Sequence, residues 1–446
     1  MLQEIVTGCA SLGGPPELDA FRKHLPQEWI EEALRATGTA TLRRRRLPAE
    51  QVVWLVLGMA LFKDRSITDV VNKLDLALPG SGRVTVAPSA ISQARARLGQ
   101  EPVRWLFEQC ANKWAHQSAD GDCWRDLSLY AVDGTSLRVP DSEANRHEFG
   151  LIVGRLAPEG SGYPVMRAVA LMALRSHMLA AVAFGPCKQG EHTYARQLWG
   201  EIPDDSLTIV DRGFQASNVL HPLHQGGANR HFLVRARSDT TGRVVTRTTH
   251  TDELVEFTIC AATRRKEPTL PLHWRVRRIR YRIKGGKEQM LLTSLLDPTK
   301  YPAKEIIALY HERWEIEMGF DELKTDMLER NVPMRSQTPQ GVRQELWGVL
   351  LAYNLVRREM EQVAKEANVS PLRISFIASY RFIRDEFLWC AVARPGAIPA
   401  HLKRLRQQLS LFLLPKRRSA RRYPRAVKRK SSQYPSNRKG KPPRYS

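Results

Sequence analysis

The sequence predicts an α/β protein in which a mixed sheet follows a helical N-terminal region and a β-rich stretch precedes a long helix. Three observations carry this. Apolar residues recur every three or four positions up to about residue 118. From Leu127 the period shortens to that of strands, in the order strand, strand, strand, helix, strand, helix. From Ala303 to about Glu329 one helical period returns.

Helices are expected around Phe21–Leu34, Ala49–Phe62 and Ile67–Leu74, the last capped by Ser66. A turn rich in Pro, Gly and Ser follows at 78–83. Pro88 or Ser89 then starts a helix that Gly99 can end. That helix carries Ser92, Gln93, Arg95 and Arg97. Two short helices around a turn suit docking on DNA, with Arg95 and Arg97 as contacts. A plain packing helix with solvated arginines fits the same residues equally well.

Leu127–Asp133 reads as a strand ending on an acid. Val165–Leu174 and Met178–Phe184 read as two more strands, Glu191–Glu201 as a helix, and Leu207–Asp211 as a strand again ending on an acid. A further helix begins near Gln215. Between His231 and Leu296 the character is β. The stretch Leu272–Ile283 alternates arginines with apolar residues, and its phase slips at Arg277–Arg278. A bulge there would be needed to keep all its arginines on one face; such a face is usually solvated, but this density of arginine favours phosphate contact. Helices are expected over Ala303–Glu329 and from Gly341 to about Ala367.

The chain therefore divides into a helical N-terminal domain (1–118), the first part of a core (119–230), a β-rich insertion (231–298), the second part of the core (299–370), a C-terminal helical region (371–415) and a basic tail (416–446). Its 446 residues are too many for one ordinary domain, and 42% apolar content suffices for a sizeable core. The formal net charge is +23. A chain so basic repels itself unless a polyanion neutralises it, and nucleic acid is the commonest such partner. From Lys416 onward there are thirteen Lys or Arg and no acid, so the tail carries over half the excess. Such a segment is expected to be disordered when free.

The six cysteines (9, 110, 123, 187, 260 and 390) include no C-x-x-C pair. This argues against a zinc ribbon and a disulfide scaffold and suits a reducing cytoplasm. His221 and His224 have no companion ligands nearby, so zinc is not expected there. The longest apolar run, Val52–Phe62, is about half the ~20 residues of a membrane span. Neither a leader peptide nor a membrane partner is expected.

A carboxylate at the end of a central strand is held by the sheet and faces a cleft. Asp133 and Asp211 both qualify, each followed closely by Gly (Gly134, Gly213), though a turn-forming Asp beside Gly is common. The long helix adds a third acid. At ~100° per residue, Tyr310, Arg313, Glu317 and Lys324 fall in a stripe roughly 60° wide. Glu312, Glu315 and Glu322 point elsewhere, as solvent-side charges would. Asp321 also falls near the stripe, so the geometry leaves Glu317 and Asp321 both open.

Tyr310-x-x-Arg313-x-x-x-Glu317-x-x-x-x-x-x-Lys324 resembles the YREK signature of insertion sequence 4 family transposases. Val132-Asp133-Gly134-Thr135 resembles the family's first-acid region, Val210-Asp211-Arg212-Gly213-Phe214 its second, and Leu350–Arg357 the helix after the signature. The resemblance spans nearly the whole chain. It implies a ribonuclease H-like core with the β-rich stretch inserted before the last catalytic helix. That accounts for the offset of 106 from Asp211 to Glu317. It selects Glu317 over Asp321 and makes Asp133, Asp211 and Glu317 catalytic ligands for two Mg²⁺ or Mn²⁺ ions. Oxygen ligands suit those ions and not zinc.

The resemblance further implies that Tyr310, Arg313 and Lys324 contact transposon-end DNA. The partners it implies are double-stranded DNA, as transposon ends and target, and a second copy in a synaptic homodimer in the bacterial cytoplasm. Relatives that hold a flipped base do so on a tryptophan, but no motif selects Trp274 or Trp314. A silent end-binding regulator and a metal nuclease without strand transfer are the rival readings.

Overall fold

A computed structural model describes residues 25–40, 47–74, 76, 86–152, 162–282, 288–329, 332–390 and 406–415. The basic tail from 416 lies outside the described residues, as does the turn at 78–83.

The N-terminal region forms α1 (Gln27–Ala36), α2 (Ala49–Leu61), α3 (Ile67–Lys73), α4 (Pro88–Leu98) and α5 (Glu101–Asp120). Ser66 caps α3 by accepting the Asp69 N–H at 3.1 Å. Pro88 opens α4, and Gly99 closes it with φ +69°. The apolar run of α2 is buried on every side. It packs against α12 (Pro339–Glu366), the longest described helix. Among the described residues no helix is long and apolar enough to cross a membrane.

Nine strands make one sheet: β1 (Ser128–Arg138), β2 (Val165–Ala173), β3 (Leu179–Pro186), β4 (Ser206–Val210), β5 (Arg230–Arg235), β6 (Arg243–Thr249), β7 (Asp252–Thr258), β8 (His273–Arg282) and β9 (Glu288–Thr293). Their order is β3-β2-β1-β4-β5-β9-β8-β7-β6. β1, β2 and β3 run antiparallel, and β4 and β5 continue parallel to β1. This first half, with helices α6 (Glu143–Phe149), α7 (Glu191–Gln197) and α8 (Ser217–Gln225) in its connections, is a ribonuclease H-like arrangement. β4 is buried along its whole length, as a strand covered on both faces must be.

The second half of the sheet grows on β9, which pairs antiparallel with β5, and carries the short helix α9 (Ala261–Lys266) between β7 and β8. Two features differ from the sequence reading. β5, within the 231–298 stretch, lies beside β4 in the core, because α8 returns the chain for a parallel pairing. And β8 keeps an unbroken register with both neighbours through Arg277–Arg278. Without a bulge those two arginines face opposite sides of the sheet, and both are buried. Arg277 grips both oxygens of Asp252 at 2.8 and 2.6 Å and donates to the Tyr301 carbonyl at 2.6 Å. Arg278 pairs with Glu253 at 2.7 Å, and Arg275 with Glu256 at 3.0 Å. The strand's arginines hold the sheet together and are not a bare phosphate face.

The long helix expected from 303 to 329 is interrupted. It comprises α10 (Ala303–Glu312), α11 (Trp314–Asp321) and a π-helical turn (Glu322–Met327). At the first joint the bonds tighten: Arg313 N–H to Tyr310 at 3.3 Å and Ile316 N–H to Arg313 at 3.2 Å. At the second they widen, with Leu328 N–H reaching Leu323 at 3.0 Å. After α12 the described chain adds α13 (Phe376–Cys390).

Candidate active site

Val132 of β1 stands in register with Val210 of β4, so Asp133 and Asp211 follow each other on neighbouring parallel strands. β1 does not end on Asp133, as the sequence suggested. It runs on to Arg138 because β2 still pairs with it, Asp133 opposite Ala170. Only its parallel neighbour β4 stops, and the cleft opens there. Asp133 accepts the Gly134 N–H at 2.8 Å. Gly134 leaves room for the Glu191 side chain, which a Cβ there would meet at 2.7 Å. Asp211 leaves its strand and accepts the Gly213 N–H at 2.7 Å, capping the 3-10 turn Arg212–Phe214. A cleft of about 610 Å³ beside it is lined by Asp211, Arg212, Gly213, Arg237, Ser238 and Asp239.

α11 lies against β1 and supplies the third acid. Gly319 lets it lie close, since a Cβ there would strike Met172 Cε at 2.5 Å. Arg313 joins the acids: Nη2 donates to Glu317 Oε1 at 2.6 Å, and Nη1 stands 3.5 Å from Asp133 Oδ2. Glu317 and Asp133 thus flank one guanidinium. Tyr310 is buried and close enough to feel Arg313, Arg235 and Asp211. Lys324 Nζ donates to Thr135 Oγ1 at 3.1 Å. Thr135 lies two residues beyond Asp133 on the same strand, so both side chains share a face. Asp321 is exposed and bonds Thr325 Oγ1 at 3.1 Å.

The electrostatics follow from this crowding. Burial, first of all, pushes the Asp133 carboxyl up to about 6; Asp211 and Glu317 add to the rise, while the Gly134 N–H and Arg313 oppose it. Burial would depress the Arg313 guanidinium, but Glu317, Tyr310 and Asp133 carry it above its ordinary value. Burial raises the Tyr310 phenol. Asp133 and Glu317 share the Arg313 guanidinium, and Arg212 and Arg237 line the cleft beside Asp211. The donors of the site are all carboxylate oxygens, a set that fits a hard divalent cation. Among the described residues, no three His, Cys, Asp or Glu side chains are gathered closely enough to hold an ion as they stand.

Arg95 is a correction. Its guanidinium donates to Gln344 Oε1 at 3.0 Å and Ser336 Oγ at 2.9 Å, fastening α4 to the start of α12. It is spent on packing and is not presented to DNA. Arg97 lies on the exposed face of the same helix. Glu312, Glu315 and Glu322 are also not solvent-side charges. Glu312 pairs with Arg175 at 2.9 Å, and Glu315 is buried against His177 Nε2 at 3.0 Å. Glu322 accepts from Tyr353 at 3.0 Å and from Arg357. The helix is covered by the sheet on one side and α12 on the other, so few of its faces meet water.

Sequence reasoning missed Thr135, although its spacing of two from Asp133 on a strand could have marked it. It also missed the network behind the helix, for which no local pattern exists. Trp314 is exposed beneath Arg313, 5.8 Å from its ring, and Trp274 helps wall a cavity of about 390 Å³.

Residues 15–108 match the family described as insertion element 4 transposase N-terminal, and residues 124–355 match the transposase DDE domain. Fold and site together therefore define a DDE transposase, a metal-dependent enzyme that binds DNA, cleaves it and transfers its strands. Transposase InsG for insertion sequence element IS4 of Escherichia coli (strain K12) is 37% identical over 436 residues, covering 97% of this chain and 96% of that protein. Putative transposase InsZ of the same strain is 36% identical over 283 residues, 60% of this chain and 92% of that one. The chain belongs to the insertion sequence 4 family. A solved piggyBac transposase synaptic complex with hairpin DNA aligns with 92% of this chain and 87% of its own, at TM-score 0.43 and 13% identity.

Proposed function

We propose that the chain cuts and joins the ends of an insertion sequence with Asp133, Asp211 and Glu317 as the ligands of two Mg²⁺ or Mn²⁺ ions. The observation that carries this is the placement of Asp133 and Asp211 on adjacent parallel strands, with Glu317 reached from Asp133 through one guanidinium. Bound there, the ions would activate water and stabilise the leaving oxygen of the phosphodiester.

The chain's own residues do the rest. The sheet fixes the two aspartates, and Gly134 and Gly213 N–H groups orient their carboxylates. Arg313 and Lys324 are cations on the Asp133 face and would hold phosphates on either side of the cut. Tyr310, buried beside Arg313, would steady that guanidinium and offer its hydroxyl to the DNA. Arg97 would add a backbone contact from α4. Hydrolysis leaves a 3′ hydroxyl, which in the same site attacks target DNA. Two ends cut in concert call for a homodimer in the synaptic complex, acting in the bacterial cytoplasm where the DNA lies.

The purified chain, incubated with DNA carrying the element's ends and Mg²⁺, should give end-specific nicks and joined products. Glu317→Ala should abolish both and leave end binding intact. Nicks without joining would favour a nuclease. Binding without cleavage, unchanged by Glu317→Ala, would leave an end-binding regulator.

A further inference from the structure

Among the described residues, Arg313 is the one cation in ion-pair contact with Asp133 and Glu317. It holds Glu317 Oε1 at 2.6 Å with one terminal nitrogen and faces Asp133 Oδ2 at 3.5 Å with the other. A divalent ion held by Asp133 and Glu317 would draw on the carboxylates that Arg313 now pairs with. A permanent guanidinium cannot keep its place beside such an ion, because the two compete for lone pairs and repel each other.

Arg313 is also built to leave. It springs from the joint between α10 and α11, where i→i−3 backbone bonds replace the α-helical ones, a feature that often marks a hinge. Glu317 keeps 37% of its side chain exposed and can turn. The exposed Trp314 ring already lies 5.8 Å from the guanidinium and stays beside it when the acids let go. A DNA phosphate is a stronger bidentate partner than one carboxylate oxygen.

We propose that Arg313 is a built-in counter-ion that keeps Glu317 from ligating metal until a DNA phosphate draws it away, so that end DNA and divalent metal load cooperatively. This rests on Asp133 and Glu317 being ligands. Metal is admitted when substrate is in place, which limits hydrolysis of unspecific DNA.

The test is a Mn²⁺ titration of the full chain, read by the electron spin resonance of free Mn²⁺. It is run alone and with a pre-cut end duplex whose 3′ terminus is dideoxy. In the wild type the duplex should tighten Mn²⁺ binding by about tenfold or more, a normal size for coupled sites. Arg313→Ala should bind Mn²⁺ about tenfold tighter without DNA, and the duplex should then add less than about threefold. Arg313→Gln provides a second variant should the alanine form fold poorly. Simple removal of a charge predicts instead that the two factors multiply, and that result overturns the proposal. So does a variant that binds Mn²⁺ no tighter without DNA. A Glu317→Gln arm separates the two levels. If it weakens Mn²⁺ binding while the factors multiply, only the latch fails. If it leaves Mn²⁺ binding unchanged, the ligand assignment fails and the latch with it.

Discussion

Arg357→Met should destabilise the protein by about 3 kcal/mol at pH 7. The Arg357 guanidinium, on α12, is buried and pairs with Glu322, the first residue of the π-helical turn; Tyr353 donates to the same carboxylate at 3.0 Å, and His177 Nδ1 stands 3.4 Å from it. Burial works to raise the Glu322 carboxyl, but Arg357 and His177 overcome it and hold the group down to about 2 from an ordinary 4.5. At ~1.4 kcal/mol per tenfold change this amounts to roughly 3 kcal/mol. Removing one partner of a buried pair costs about 3–5 kcal/mol, which agrees. Because the folded value is depressed, this stability is present above about pH 4.5 and is lost as pH falls toward 2. Chemical denaturation followed by tryptophan fluorescence should show the full gap at pH 7 and a shrinking gap below pH 4.5. Glu322→Gln with Arg357→Met removes both charges and should recover more than half the loss. A single-variant cost below about 1 kcal/mol, or a double variant as weak as the single, would refute the reasoning.

Other outcomes follow from the same geometry. Asp133→Asn should stabilise the metal-free protein by roughly 3 kcal/mol above pH 6, since the acid is raised from 3.8 to about 6 in the fold; the gain should vanish below pH 3.8 in thermal melts, and an unchanged melting temperature at pH 8 would count against it. Gly319→Val should cost about 1–3 kcal/mol by forcing α11 off Met172, measured by denaturation, with a neutral result contradicting the close approach. Arg95→Ala should lower stability and leave the salt dependence of DNA binding unchanged, while Arg97→Ala should reduce the salt slope by about one charge. The reverse pattern in binding titrations would restore Arg95 as a DNA contact.

The two aspartates are legible in the sequence because apolar strand runs lead directly into them, and the chain order of strands and helices already implies which strands lie together. What sequence alone cannot show is which neighbour stops. β1 passes through Asp133 because β2 supports it from one side, and that is a property of pairing between distant segments. The stripe of Tyr310, Arg313, Glu317 and Lys324 follows from ideal helix geometry, yet the real helix tightens at Arg313 and loosens after Asp321. Tertiary contacts lie along the same stretch: Gly319 against Met172 and Glu322 against Arg357. Tertiary contacts also mislead on charge. Glu315, Glu322, Arg277 and Arg278 look solvated in a one-dimensional reading, but each finds its partner from another element and is drawn inside.

The ligand assignment is tested most directly by exchanging each acid for cysteine and comparing end cleavage in Mg²⁺ and Mn²⁺. A thiolate binds Mn²⁺ better than it binds Mg²⁺. Asp133→Cys, Asp211→Cys and Glu317→Cys should each be inactive in Mg²⁺ and regain part of their cleavage in Mn²⁺, whereas Asp321→Cys should cut normally in Mg²⁺. Full Mg²⁺ activity in Glu317→Cys, or loss and Mn²⁺ rescue in Asp321→Cys, would contradict the triad.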